Sequence, residues 1–226
     1  MGEIYLIRGK KIDLEHWPRR EHFQGFIQMA APCYGMNVRM DVTELVNLCK
    51  KEKESFFVNM LYLCLREMNQ VEEFRMRVID REPWIYDTIH CSFTVLNHLG
   101  CFVNRRADFC EYPSFYQNVC HIVSKAKGEA NMESGDADCA RMDLFYFSCI
   151  PWIDFQSITQ PLITQPATFP DPAGDSVPRV SWGKYVEEDG RYRMTMHMTV
   201  NHALIDGRPL AEAFNRIQSA LNHLEF

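Results

Sequence analysis

The chain has 226 residues, 46% of them hydrophobic and 24% charged, a balance that supports a buried core and excludes an extended disordered polymer. Its net charge of −6, without any Lys/Arg-rich block, leaves no electrostatic footprint for a nucleic acid backbone or an anionic membrane surface. Small molecules are the expected ligands, and residues 1–226 are expected to form one domain.

Met1 to Lys11 alternates charge with short apolar runs and lacks the continuous apolar stretch of a signal peptide, so a cytoplasmic protein is expected. Arg19 to Met29 reads as helix and Tyr34 to Val42 as extended chain. Val42 to Lys51 and Ser55 to Met68 read as two helices, the second placing Phe57, Met60, Leu61 and Cys64 on one core-facing side. The apolar stretch Phe56 to Leu65 is about half of what a membrane span requires. Phe74 to Ile79, Trp84 to Ile89 and Cys91 to Leu96 are strand-rich runs parted by turn residues, which predicts a meander.

Tyr112 to Lys127 is a further helix. Leu144 to Ile150 is apolar on both alternating faces, as in a strand covered on two sides, with Ser148 the exception. A hydroxyl in such a strand needs a partner, and a bond to nearby backbone is one account of it. Thr159 to Pro178 holds six Pro or Gly residues (161, 166, 170, 172, 174 and 178) and reads as a long irregular loop of the kind that lines sites. Val180 to Val186 and Tyr192 to Val200 form a hairpin signal around Glu187 to Gly190, and a last helix starts near Pro209. The order of elements is that of an α/β chain. The nine cysteines form no Cys-x-x-Cys pair and no histidine stands at zinc-finger spacing from them, so they are expected as reduced thiols, with no metal.

In Tyr192 to Val200 the residues Tyr192, Met194, Met196, Met198 and Val200 point one way and Arg193, Thr195, His197 and Thr199 the other. Continued, this alternation puts Asn201 on the polar face and aims His202 inward, at a strand end that feeds a loop and a helix, where α/β proteins place reactive groups. Taken alone, an inward histidine is more often a hydrogen-bonded core residue than a base, and both readings stand. No His-Glu-x-x-His, Gly-x-Ser-x-Gly or glycine-rich phosphate loop is present.

The string Asn201-His202-Ala203-Leu204-Ile205-Asp206-Gly207 resembles the His-His-x-x-x-Asp-Gly signature shared by chloramphenicol acetyltransferases, condensation domains and, in variant form, dihydrolipoyl acyltransferase cores, and the remaining segments single out the first of these. Ile12 to Phe23, Glu73 to Arg77, Ser148 to Trp152 and Gly183 to Tyr185 are similar to that family's segments in the same order, from about Ile12 to Leu221. The resemblance implies a two-layer α/β sandwich with a mixed sheet, assembled as a homotrimer with active sites between subunits, and acetyl coenzyme A as co-substrate without a metal. It implies His202 as general base and Ser148 as donor to the oxyanion, with Ser181 helping to hold the intermediate. Asp206 and Arg19 would form a supporting salt bridge. Trp152, Lys184, Tyr185 and Phe57 would contact the coenzyme, and Phe26, Tyr34 and Phe102 the hydroxyl acceptor.

Three positions depart from the family pattern. Asn201 replaces the first His of the doublet, Ser55 stands where members carry a Lys that meets the coenzyme's phosphate, and the Pro-rich loop is longer. Transfer of acetyl to chloramphenicol is the first expectation, transfer to another hydroxylated small molecule the second, and a trimer that only binds the third.

Overall fold

A computed structural model describes residues 9–129, 141–162 and 175–226. In chain order it contains β1 (Gly9–Lys11), α1 (Arg20–Phe26), β2 (Cys33–Asp41), α2 (Thr43–Glu52) and α3 (Phe56–Asn69), then a 3-10 turn (Glu72–Arg75). There follow β3 (Met76–Ile79), β4 (Glu82–Tyr86), β5 (His90–Leu96), β6 (Phe102–Ala107), α4 (Tyr112–Gly128) and β7 (Leu144–Ile150). β8 (Arg179–Gly183), β9 (Val186–Glu188), β10 (Arg191–Asn201) and α5 (Gly207–Asn222) complete the chain. Among the described residues no helix is long and apolar enough to cross a membrane.

The helices obey local chemistry. Ser55 caps α3 by accepting a hydrogen bond from the Val58 amide, and the helix behind it is apolar nearly all round because it lies inside the helical layer. α2 ends at Lys53, which takes the left-handed conformation (φ 58) that closes a helix. α5 is amphipathic, with Leu210, Phe214, Ile217 and Leu221 buried along one stripe.

A seven-stranded sheet runs β2-β10-β8-β7-β5-β6, with β9 added alongside β10. β7 is parallel to β5 and to β8, and the other pairs are antiparallel, so the sheet is mixed. The helices cover one face, where Phe93, Phe147, Val180, Met198 and their neighbours are buried. The opposite face is a grid of polar side chains set by register. One row across it reads Ser92, Tyr146, Arg179, Thr199, and the next reads Ser148, Ser181, His197, Asn37. This is the two-layer α/β arrangement with a mixed sheet that the sequence predicts.

A smaller sheet, β1-β4-β3, lies beside it. Arg77 of β3 fastens the two: its guanidinium is fully buried and donates to the carbonyls of Phe74, Met76, Met142 and Leu144. Burial pushes that guanidinium down to about 10, against a smaller opposing pull from Tyr86, Tyr146 and Asp143.

The expected meander is therefore corrected: β3 and β4 pair with each other, but β5 belongs to the large sheet. Asn69, at the end of α3, is the reason. Its side chain accepts from the Ile89 amide and donates to the Ile89 carbonyl, so the chain is clasped between β4 and β5 and crosses to the other sheet. The hairpin around Glu187 to Gly190 is present, but its first strand is the short β9, because the chain leaves β8 after Gly183. β1 and β6 have no counterpart among the elements expected from the sequence. β6 carries Asn104, Arg105 and Arg106 on an edge, which weakens the apolar alternation that marks a strand. Residues 163–174, most of the expected Pro-rich loop, lie outside the described residues.

Candidate active site

Asn201 closes β10 and organises the turn beyond it. Its side-chain oxygen accepts from the Ala203 amide, its carbonyl accepts from the Leu204 and Ile205 amides, and its side-chain nitrogen donates to the Asp175 carbonyl. That turn lifts His202 out of the ladder, and the His202 amide donates to the Pro32 carbonyl at 2.9 Å. The imidazole then lies flat on Phe26 of α1, with centroids 4.0 Å apart and planes 8° apart, and Tyr34 of β2 tilts against it at 4.6 Å. Tyr34 is itself fixed by donating its hydroxyl to the Ile205 carbonyl.

His202 Nδ1 is buried 3.2 Å from Asp206 Oδ1, an ion-pair distance without the alignment of a hydrogen bond. The same Asp206 oxygen accepts from Arg19 Nη2 at 2.9 Å. His202, Asp206, Arg19, Phe26 and Tyr34 thus form one cluster at the sheet end, where the turn after Asn201, and not continued strand alternation, sets the imidazole. About a third of the His202 side chain is exposed (34%), and with Nδ1 buried the accessible edge is the opposite one.

Ser148 and Ser181 are elsewhere. They face each other from β7 and β8 on the polar face, in a cavity of about 540 Å³ whose rim includes Phe102, Leu96 and Trp152. Ser148 Oγ lies 3.4 Å from Thr94 Oγ1 on β5, and Ser181 Oγ accepts from Gln160 Nε2 at 2.5 Å. The partner of Ser148 is thus another hydroxyl, where backbone was one expectation. Burial pushes the neighbouring Cys149 thiol up to about 12, which keeps it protonated and out of nucleophilic chemistry.

Residues 151–162 cross the polar face and wall the cavity. Gly183 lets them approach: a Cβ there would meet the Ile153 carbonyl at 2.9 Å, and that carbonyl accepts from the Lys184 amide. Arg39 holds the same segment through both oxygens of Asp154, at 2.5 and 3.1 Å, and also pairs with Glu188. Trp152 and Phe102 are left 67% and 60% exposed at the cavity mouth, an apolar rim without a cover among the described residues.

The expected coenzyme contacts divide further. Tyr185 packs between Phe56 and Tyr192, and the Lys50 ammonium lies 4.2 Å from the Tyr192 ring centroid, so cations and aromatic faces adjoin where Lys184 is exposed. Phe57 turns the other way, into the helix-side core against Phe93 and Trp182.

One chain does not bring His202 to Ser148. Ser148, Ser181 and His197 are in register on three successive strands, and His202 lies five residues beyond His197. From His197 to the strand end at Asn201 is about 13 Å at about 3.3 Å per residue, and the turn beyond it holds the imidazole on the other side of the sheet, against Tyr34. Thr94 and Gln160 are site residues that sequence reasoning misses. Alternation along β5 places Thr94 on the face of Ser148 once the strand order is known, whereas Gln160 stands in an irregular run with no pattern to mark it.

Comparison with known proteins gives a consistent result. A family model described as Chloramphenicol acetyltransferase matches residues 8–218. The chain is 27% identical over 212 residues to a chloramphenicol acetyltransferase from Klebsiella sp., covering 92% of this chain and 91% of that one. It is 27% identical over 218 residues to chloramphenicol acetyltransferase 3 of Escherichia coli, covering 94% and 96%. A solved structure of a chloramphenicol acetyltransferase superposes with a TM-score of 0.84 at 26% identity, over 94% of this chain and 99% of the other.

Proposed function

The chain belongs to the chloramphenicol acetyltransferase family, and on that premise we propose that it transfers acetyl from acetyl coenzyme A to a hydroxyl of chloramphenicol. The observation that carries the reading is His202: its backbone and ring face are held, its Nδ1 is buried beside Asp206, and about a third of the side chain stays exposed. A neutral imidazole so held is a general base. It removes the proton of the acceptor hydroxyl as that oxygen attacks the thioester carbonyl, a contribution of about 10²–10⁴-fold. The tetrahedral intermediate collapses, the carbon–sulfur bond breaks, and the proton passes to the departing coenzyme thiolate. Asp206 and Arg19 keep the imidazole in place and take no part in proton transfer.

Ser148 supplies a hydrogen bond to the oxyanion, an effect worth about 3 kcal/mol when the donor is preorganised. Because His202 and Ser148 of one chain lie on opposite sides of the sheet, the working site pairs the His202 of one copy with the Ser148 cavity of another. A homotrimer satisfies this, and the apolar rim at Phe102 and Trp152 suits burial against a second copy. The exposed Lys184 beside Tyr185, with Trp152 at the rim, suits an anionic, aromatic-bearing coenzyme, with Phe57 behind them in the core.

A second reading keeps the chemistry and changes the acceptor to another hydroxylated small molecule. It is favoured by the Pro-rich loop, which departs from the family pattern and whose early residues Gln160 and Pro161 line the cavity.

Thioester cleavage measured with and without chloramphenicol tests the activity. His202→Ala should lower kcat by about 10²–10⁴-fold with unchanged melting, and wild-type rates in that variant would refute the mechanism. Subunit mixing tests the shared site. His202→Ala and Ser148→Ala, each inactive, should regain about a quarter of wild-type activity when co-assembled one to one, since a quarter of the sites then unite an intact His with an intact Ser. No recovery would place both groups in one chain.

A further inference from the structure

Ser181 has one proton to give, and its worth in the cavity depends on where that proton points. The residue is fully buried on the polar face, so bulk water does not compete for it. Its neighbour across the sheet is Ser148, one strand away and on the same face, and Ser148 in turn meets Thr94. Three hydroxyls therefore stand side by side on β5, β7 and β8. A row of hydroxyls is ambiguous by itself, because each can donate or accept. Something must fix the direction.

The fixed end is Gln160. Its amide nitrogen donates to Ser181 Oγ at 2.5 Å, and an amide nitrogen can only donate. Ser181 accepts there and keeps its own proton. We infer that Gln160 is a positioning residue for the reaction: by donating to Ser181 it offers that hydroxyl no acceptor in the wall, so the Ser181 proton is available to the cavity, where charge develops on the thioester oxygen. The inference rests on the acetyltransferase reading and adds to it a residue that touches neither the acetyl group nor the base. A donor aimed before the reaction needs no reorganisation as the oxyanion forms, and a hydroxyl free to turn does. The tie has a second consequence. Gln160 lies in the 151–162 segment while Ser181 lies in the sheet, so the wall of the cavity and the direction of its hydroxyl are set together.

A tether alone and a proton-directing tether make opposite demands of the side chain. Glu has the shape of Gln and preserves a tether, because its carboxylate accepts from Ser181. In doing so it draws the Ser181 proton away from the cavity. Leu loses the tether but leaves the proton free to turn inward. The experiment is steady-state kinetics of wild type, Gln160→Glu, Gln160→Leu and Ser181→Ala with acetyl coenzyme A and chloramphenicol, with thermal melting of each variant.

Gln160→Glu should lower kcat by about tenfold or more, close to Ser181→Ala, and Gln160→Leu by only a few-fold. KM for acetyl coenzyme A should stay within about twofold in both. The deficit of Gln160→Glu relative to wild type should shrink as pH falls, because a protonated carboxyl regains a donor. Near-wild-type kcat for Gln160→Glu together with a large loss for Gln160→Leu would overturn the inference, as would a deficit that does not change with pH. Those results differ from failure of the underlying reading, in which wild type itself cleaves no thioester with any hydroxyl acceptor and the inference falls with it.

Discussion

Both faces of β10 are closed to water, but by different means. Met194, Met196, Met198 and Val200 meet the helices through contact that has no direction. Thr195, His197, Thr199 and Asn201 on the other face are as well buried, and each depends on a named partner. His197 Nδ1 bonds Asn37 Oδ1, which only accepts, so Nδ1 carries the proton and Nε2 takes the hydroxyl of Thr199. An apolar face tolerates any residue of similar volume, whereas a buried polar face fails wherever one member loses its complement. Stability is spread over the first and concentrated on the second.

The largest expected effect is at Asp175, whose carboxylate holds Arg179 through two hydrogen bonds, both residues buried. Asp175→Ala strands that guanidinium and should cost about 3–5 kcal/mol. For a chain of this size that lowers melting by roughly 10 °C. Met196→Leu, a volume-conserving exchange on the helix face, should cost less than about 1.5 kcal/mol. Equal melting temperatures for the two variants would remove the distinction between the faces.

Next comes Gly35, which pairs with Thr199 and faces the His197 ring. An added Cβ would come within 2.5 Å of the imidazole and 2.8 Å of the Met198 carbonyl. Gly35→Ala should cost about 1–3 kcal/mol. In a His197→Ala background that cost should shrink by roughly 1 kcal/mol, the remainder belonging to the carbonyl, and strictly additive melting shifts would show the ring is not the obstacle.

The smallest effect is one of pH. Burial holds the His197 imidazole below its ordinary value, so the unfolded chain takes up a proton at a pH where the folded chain does not. Stability is then complete above about pH 6.5, declines as pH falls below that, and levels off once the folded imidazole also protonates. Denaturant melts across that range should show the decline in wild type and a shallower one in His197→Leu. The same slope in both would assign it to other groups.

Periodicity made much of this architecture legible. The alternation along Tyr192 to Val200 places the methionines against the helices, and the stripe of α5 is set by Leu210, Phe214, Ile217 and Leu221. Local pattern says nothing of which strands adjoin. The alignment of Ser148 with Ser181 and His197 comes from pairing between segments far apart in sequence. The split of the expected meander turns on one Asn69 side chain, and β6 hides its strand character behind two arginines. The cluster at His202 was legible because a short motif marks it; in the hydroxyl row, Ser148 and Ser181 followed from the family resemblance, and Thr94 and Gln160 did not, because separate elements supply them.

The cavity floor belongs to strands backed by the core, while its wall is irregular chain moored at Asp154 and Gln160. Substitutions in that wall away from Gln160 change the shape of the cavity without shifting any strand register or moving the hydroxyls on its floor.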